Sequence, residues 1–147
     1  MKRFSLFVLL FALTLAACAP QAAPATTGPT LKVSDGTTTK TYTADDLKAL
    51  GAVEVTSKDV IYVGVTLTAL LQDAGIDPTA LKAVKAVASD GFSANYEPAL
   101  FTLADTILAY ATTTGDLSAE EAPFRMVLPA EGGKLNPRMI VEILAIP

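Results

Sequence analysis

The chain has 147 residues, 51% of them apolar, with eleven Lys/Arg against fifteen Asp/Glu and a net charge of −4. It contains one cysteine and no histidine, which excludes an internal disulfide, zinc-dependent hydrolysis through His ligands and Ser-His nucleophilic catalysis. An acidic chain without a basic run is also a poor match to nucleic acid, whose binding rests on phosphate neutralisation.

Met1-Lys2-Arg3 precedes Phe4 to Ala17, a segment without one charged residue. As a helix that segment would reach about 21 Å, short of the roughly 30 Å hydrocarbon core, which suits the apolar region of a signal peptide better than a permanent span. Leu15-Ala16-Ala17-Cys18 resembles the lipobox of bacterial lipoprotein signal peptides. The resemblance implies cleavage before Cys18 and acylation of its thiol, and two or more acyl chains give a lasting anchor where one does not. Residues 1–17 are therefore expected to be a signal peptide, with the remainder lipid-anchored in the bacterial cell envelope outside the cytoplasm. Ala19 after the cysteine implies the outer membrane where the host has two. Losing Lys2 and Arg3 leaves nine basic residues against fifteen acidic, a charge of −6. Acylation of Cys18 leaves no free thiol for a metal site or a nucleophile.

Residues 18–30 read as a flexible tether, because Ala19 to Thr30 is APQAAPATTGPT and offers nothing to bury. One folded domain is expected over 31–147. Leu31-Lys32-Val33 and Thr37 to Tyr42 flank Asp35-Gly36, a hairpin signal; the spacing of acidic residues there does not make a calcium loop. Thr43 is expected to cap a helix over Ala44 to Leu50, with Asp45 and Asp46 in its first turn and Gly51 as its stop. Val53 to Val65 reads as two strands around Ser57-Lys58-Asp59. Thr66 then caps the clearest helix, with Leu67, Leu70, Leu71 and Ala74 on one face and Gly75 at its end. Asp77-Pro78 predicts a brief helix through Ala83.

Val84 to Ala88 and Phe92 to Tyr96 read as strands joined at Asp90-Gly91. A mixed stretch follows Pro98, and Ile107 to Ala111 fits helix and strand equally. Phe124 to Leu128 and Met139 to Ile146 are the last strands, the second central because it is apolar on both faces. Ala130-Glu131-Gly132-Gly133-Lys134 has the wrong spacing for a phosphate loop and is expected to be a hairpin between them. About seven strands and two or three short helices predict a compact α+β domain with a mixed, barrel-like β-sheet.

The order of these elements is more specific than the class. Tyr62-Val63-Gly64-Val65-Thr66-Leu67 leads to Leu70-Leu71 and Ala74-Gly75-Ile76; Ser89-Asp90-Gly91-Phe92 follows. Then come Ile107-Leu108-Ala109-Tyr110, Thr114-Gly115-Asp116-Leu117, Pro123-Phe124-Arg125-Met126-Val127-Leu128-Pro129 and Ile140 to Ile146. The series resembles the molybdopterin-binding domain of sulfite-oxidase-type oxidoreductases. In those enzymes the resemblance implies a molybdenum held by the cofactor's dithiolene and by a cysteine just before the segment that matches Gly64-Val65. Val53 to Tyr62 contains no cysteine, and only Arg125 and Arg138 supply guanidinium groups after residue 17. The metal would lose the ligand that sets its geometry, and an anionic cofactor would be buried without a basic lining.

No cofactor is therefore expected, and the leading reading is a non-catalytic module that binds a small ligand or an envelope protein. A molybdopterin-dependent oxidoreductase lacking the cysteine ligand is the alternative, and a structural envelope protein without a pocket is the third. By analogy with the family's cofactor face, Tyr62, Asp90, Asn95, Tyr96 and Arg125 are the candidate ligand-binding residues. Asp90 and Glu97 read as a turn aspartate and a solvated glutamate rather than an acid–base pair. Tyr62, Phe92, Tyr96, Phe101 and Tyr110 read as packing aromatics before they read as a groove.

Overall fold

The computed structural model describes residues 28–147. The expected signal peptide, Cys18 and most of the tether lie outside the described residues. Among those described, no helix is long and apolar enough to cross a membrane.

The first hairpin pairs β1 (Leu31–Ser34) with β2 (Thr39–Tyr42), antiparallel. Asp35 Oδ1 accepts the Thr37 and Thr38 amides at 2.8 and 2.6 Å and closes the turn. Helix α1 (Ala44–Ala49) starts in a capping box, with Thr43 and Asp46 each bonded to the other's backbone amide. β3 (Val53–Ser57) and β4 (Val60–Thr66) form a tight hairpin whose Lys58 and Asp59 both have positive φ, 49° and 65°. That is the turn geometry that matches strand twist. Helix α2 (Leu67–Asp73) is capped by Thr66 and buries Leu67, Leu70 and Leu71. It ends in a Schellman turn, with Ile76 N–H donating to the Leu71 carbonyl and Gly75 N–H to that of Gln72.

Leu81 is already extended, so the expected helix through Ala83 shrinks to a single 3-10 turn over Pro78–Ala80. β5 (Ala83–Ala88) and β6 (Ser93–Tyr96) follow, then a one-turn helix α3 (Pro98–Phe101) in the stretch left unassigned from sequence. Ile107–Thr112 is strand β7, trailed by the two-residue β8 (Gly115–Asp116), then β9 (Arg125–Val127) and β10 (Ile140–Ile146).

Ten strands make two sheets. One runs β2-β1-β10-β5-β6; the other runs β3-β4-β7-β8, with β9 also on β7. The architecture is α+β as expected, but the two sheets remain separate instead of closing into a barrel. β10 is central, parallel to β1 and antiparallel to β5, and Lys32 meets Glu142 across the parallel pair at 2.7 Å. β9 and β10 do not form the hairpin expected over Ala130 to Lys134. They belong to different sheets, and that segment is part of a crossover containing a 3-10 turn, Gly133–Leu135. The glycines that suggested a hairpin serve a turn inside the crossover.

Both faces of β7 are buried, which explains its ambiguity. Leu108 and Tyr110 join the main core between the sheets, with Leu31, Leu70, Ile143 and others. Ile107 and Ala109 point the other way, into a smaller cluster with Val55, Tyr62, Leu117 and Val127. A strand alternates faces, so covering both removes the polar half of the pattern. At the register shift between Val63 and Gly64, β4 comes so close to β7 that a Cβ on Gly64 would overlap the Leu108 carbonyl and stand 2.7 Å from Ala109 Cα.

Gly64→Ala is expected to lower the unfolding free energy by about 3 kcal/mol, since the obstruction is backbone and cannot rotate away. Denaturant titration checks it, and an unchanged midpoint would mean that the strands separate freely at the bulge. A second test concerns acid. Asp73, at the end of α2, accepts from Lys40 Nζ at 2.6 Å and from the Tyr42 hydroxyl at 2.7 Å. These bonds, that of Lys40 foremost, hold its carboxyl below the ordinary carboxylate value. A depressed folded-state pKa contributes stability above the unfolded value that disappears as pH falls through the folded one. Asp73→Asn should thus cost stability at pH 7 and flatten the loss of stability below pH 4 in thermal melts; identical acid slopes would disprove the linkage.

Candidate functional site

The smaller hydrophobic cluster carries one charged group on its face. Arg125 and Val127 are two apart on β9 and share a side of the strand, so Arg125 lies beside Tyr62 of β4. The guanidinium carbon sits 4.8 Å from the Tyr62 ring centroid, and Nη1 donates to the Tyr62 hydroxyl at 2.9 Å. The hydroxyl in turn donates to Glu121 Oε1 at 3.1 Å, and Arg125 forms an ion pair with that same oxygen. Arg125 and Glu121 side chains are each only 15% exposed, so the pair offsets a desolvation that either charge alone could not tolerate. Burial raises the Tyr62 pKa above its ordinary value; Arg125 pulls it down and Glu121 pushes it up. The phenol is a proton donor at neutral pH. Arg125 Nε is buried and has no hydrogen-bond partner in the protein.

A cleft of about 330 Å³ opens beside this group, lined by Ser57, Lys58, Tyr62, Arg125, Gly133, Asn136 and Arg138. Both arginines of the described residues line it, together with Lys58 from the β3–β4 turn, and no carboxylate does. A second cleft, about 440 Å³, shares Gly133, Asn136 and Arg138 with the first and continues to Ala88, Asp90, Phe92, Glu120, Pro137 and Met139. Arg138 is 52% exposed and touches Glu120 at a long 3.4 Å.

Asn136 holds the wall common to both clefts. Its Oδ1 accepts the Leu128 amide at 2.6 Å, and Nδ2 donates to the carbonyls of Leu128, Glu131 and Gly132 at 3.2, 3.1 and 3.1 Å. One buried side chain thereby closes the loop between β9 and the 3-10 turn. From the other side, the Tyr96 hydroxyl donates to the Leu135 carbonyl at 3.0 Å.

The five candidate ligand-binding residues fall into different places. Tyr62 and Arg125 are joined in one hydrogen-bonded group. Asp90 lines the larger cleft, in the β5–β6 turn, where Oδ1 accepts the Phe92 amide at 2.9 Å. Tyr96 is 0% exposed and supports the crossover from beneath, its phenol raised far above its ordinary value by burial. Asn95, its neighbour, faces the opposite side of β6 and is exposed. Glu97 begins α3, at the far end of β6 from Asp90. Of the aromatics, Phe101 and Tyr110 belong to the main core, while Phe92 is exposed.

Comparison with solved structures places this arrangement. The fold is sulfite-oxidase-like. The crystal structure of the sulfane dehydrogenase SoxCD from Paracoccus pantotrophus superposes with a TM-score of 0.64 and 18% identity over 80% of this chain. The matched region spans 38% of that chain, less than half its length, and at this identity the likeness is one of fold. No family model matches the sequence, and no curated protein does.

Glu121, Asn136, Arg138 and Lys58 are site residues that sequence reasoning did not select. The one available signal was that both guanidinium groups after residue 17 flank the last crossover.

Asn136→Ala is expected to lower stability by about 2–3 kcal/mol, because it orphans the buried Leu128 amide and removes the donor to three carbonyls. Thermal or urea unfolding measures this, and a loss below about 0.5 kcal/mol would show that the loop holds its shape without the clamp.

Proposed function

We propose that this chain is an envelope-tethered, non-catalytic binding module that recognises a small ligand through an oxyanion. The observation that carries the reading is the clustering of Lys58, Arg125 and Arg138 on one cleft of an acidic chain, with no carboxylate in its lining. A guanidinium offers fixed, paired donors that suit carboxylate, sulfonate or phosphate groups. Arg125 is presented with its Nη1 engaged by Glu121 and Tyr62, so little conformational freedom is lost when an anion binds. The lipobox-like Leu15-Ala16-Ala17-Cys18 supports the tether and the placement outside the cytoplasm.

The sulfite-oxidase-like fold raises a molybdopterin oxidoreductase as the second reading. The donor set does not fit that group. Its metal requires a thiolate ahead of Gly64, and the segment there is the close Val53–Thr66 hairpin, with a two-residue turn and no cysteine. Among the described residues, no three His, Cys, Asp or Glu side chains converge on one point. The only cysteine is the one expected to carry lipid.

Two measurements test the proposal. The full chain purified from its native membrane should have the intact mass of a protein beginning at acylated Cys18 and contain no stoichiometric molybdenum, tungsten or pterin. Metal with pterin at one per chain would replace this reading with a cysteine-free oxidoreductase. Titration with acetate or sulfate should shift the amide resonances of Ser57, Lys58, Gly133 and Arg138 together. The Lys58→Ala, Arg138→Ala double variant, altered only at the cleft rim, should weaken that binding about tenfold, the equivalent of about 1.4 kcal/mol. Shifts scattered over the surface, or absent, would sink the oxyanion site.

A further inference from the structure

We propose that the two clefts form one site, and that its ligand is an amphipathic monoanion, an aryl- or alkyl-carboxylate or sulfonate whose apolar body lies on Phe92 and Met139. The inference rests on the oxyanion reading and adds the class of ligand. Three observations carry it. The clefts share Gly133, Asn136 and Arg138, so the cationic end and the larger cleft adjoin across these three residues. The Arg138 side chain is half exposed and only loosely held by Glu120, which makes it free to close on an anion at either cleft.

The larger cleft has an apolar shelf. Phe92 is 46% exposed and Met139 37%, two of the six large apolar side chains so exposed among the described residues, and both line it. Exposed apolar side chains that meet in a concavity are a ligand's contact surface more often than scattered ones are.

Met139 is also held in a conformation that a methionine does not choose. Its φ is +56°, in the left-handed region that favours glycine. Both of its backbone groups are engaged: N–H donates to the Glu121 carbonyl at 3.1 Å, and the carbonyl accepts from Ser89 at 2.9 Å. Glycine would relieve the strain there, and the side chain that replaces it faces the cleft. Strain of this kind collects where a side chain is wanted for binding. Phe92 is fixed in a similar way, its amide tied to Asp90 Oδ1 and its carbonyl accepting from Ala88 at 2.9 Å.

The rim sets the charge of the ligand. Asp90 and Glu120 line the shelf end, and a second anionic group placed there would face like charge at short range. A ligand with one oxyanion at the Lys58–Arg125–Arg138 end and an uncharged body fits both halves.

The test compares three probes on the full chain in mild detergent, with detergent alone as the blank: acetate, 3-phenylpropionate and glutarate, followed by chemical-shift titration. 3-Phenylpropionate should bind at least tenfold more tightly than acetate and move Phe92 and Met139 as well as Lys58 and Arg138. Glutarate should gain nothing over acetate. Phe92→Ser should bring 3-phenylpropionate down to the acetate level and leave acetate unchanged. Met139→Gly is the control for folding: it should melt no lower than the parent and still lose the preference for the phenyl probe. Equal affinity for acetate and 3-phenylpropionate, or glutarate binding as tightly as the phenyl acid, would overturn the joined site and leave the oxyanion reading standing. Binding of none of the three would remove both.

Discussion

The burial of β7 on both faces is the constraint on which the rest of the molecule depends. Its odd and even residues feed two different clusters, Ile107 and Ala109 on one side and Leu108 and Tyr110 on the other. It also holds three partners along its length: β4 on one edge, β8 and β9 on the other. The approach of β4 is close enough to require glycine at position 64. Because β9 is short and fixed to β7, Arg125 is delivered to one place, where its side chain reaches Tyr62 of β4 across the intervening β7. The site therefore inherits its rigidity from the sheet rather than from the loops that rim it.

A buried arginine needs more than a rigid strand. In a chain rich in carboxylates, the simplest partner is one of them, and Glu121 fills that role at the cost of consuming part of the charge. Tyr62 modifies the arrangement: its ring lies against the guanidinium, and its hydroxyl accepts from Arg125 while donating to Glu121. Orientation of the fork is thereby shared between a charge and a dipole. Lys58 and Arg138 then supply the positive charge that the Glu121 pair has partly neutralised, and they do so from exposed positions where desolvation costs little. One cation of the cleft is thus buried and fixed, and two stand exposed at its rim.

Much of the fold was legible in local chemistry. Thr43 and Thr66 cap their helices, Gly75 ends α2, and Asp35-Gly36 turns the first hairpin, because each depends on backbone donors and acceptors within a few residues. Sequence order also carried the sulfite-oxidase-like fold, through spaced segments such as Gly64-Val65 and Pro123 to Pro129. What failed was whatever depended on distant partners. Burial on two faces erased the alternation in Ile107 to Ala111. The crossover over Ala130 to Lys134 read as a hairpin because Gly132-Gly133 suits either, and only the assignment of β9 and β10 to separate sheets decides between them. In the site, Tyr62 and Arg125 were reachable through the family pattern, whereas Glu121 and Asn136 were not. Their roles are set by backbone groups and a counter-charge that the fold brings into reach, and no spacing rule encodes that.

The contrast between fold and donor set narrows what the domain can do. In this sulfite-oxidase-like fold the clefts lie beside the long crossover between β9 and β10. Keeping those clefts does not require a thiolate; it requires Gly64, the two-faced β7 and a crossover pinned by Asn136 and Tyr96. None of these is a metal ligand or a proton carrier at neutral pH. The groups that line the two clefts are cations, an amide, a protonated phenol, a serine hydroxyl, the Asp90 and Glu120 carboxylates and two exposed apolar side chains. Such groups can hold and orient a ligand through charge, hydrogen bonds and apolar contact. The left-handed backbone at Met139, which lines the larger cleft, is a local strain that the fold carries at this opening.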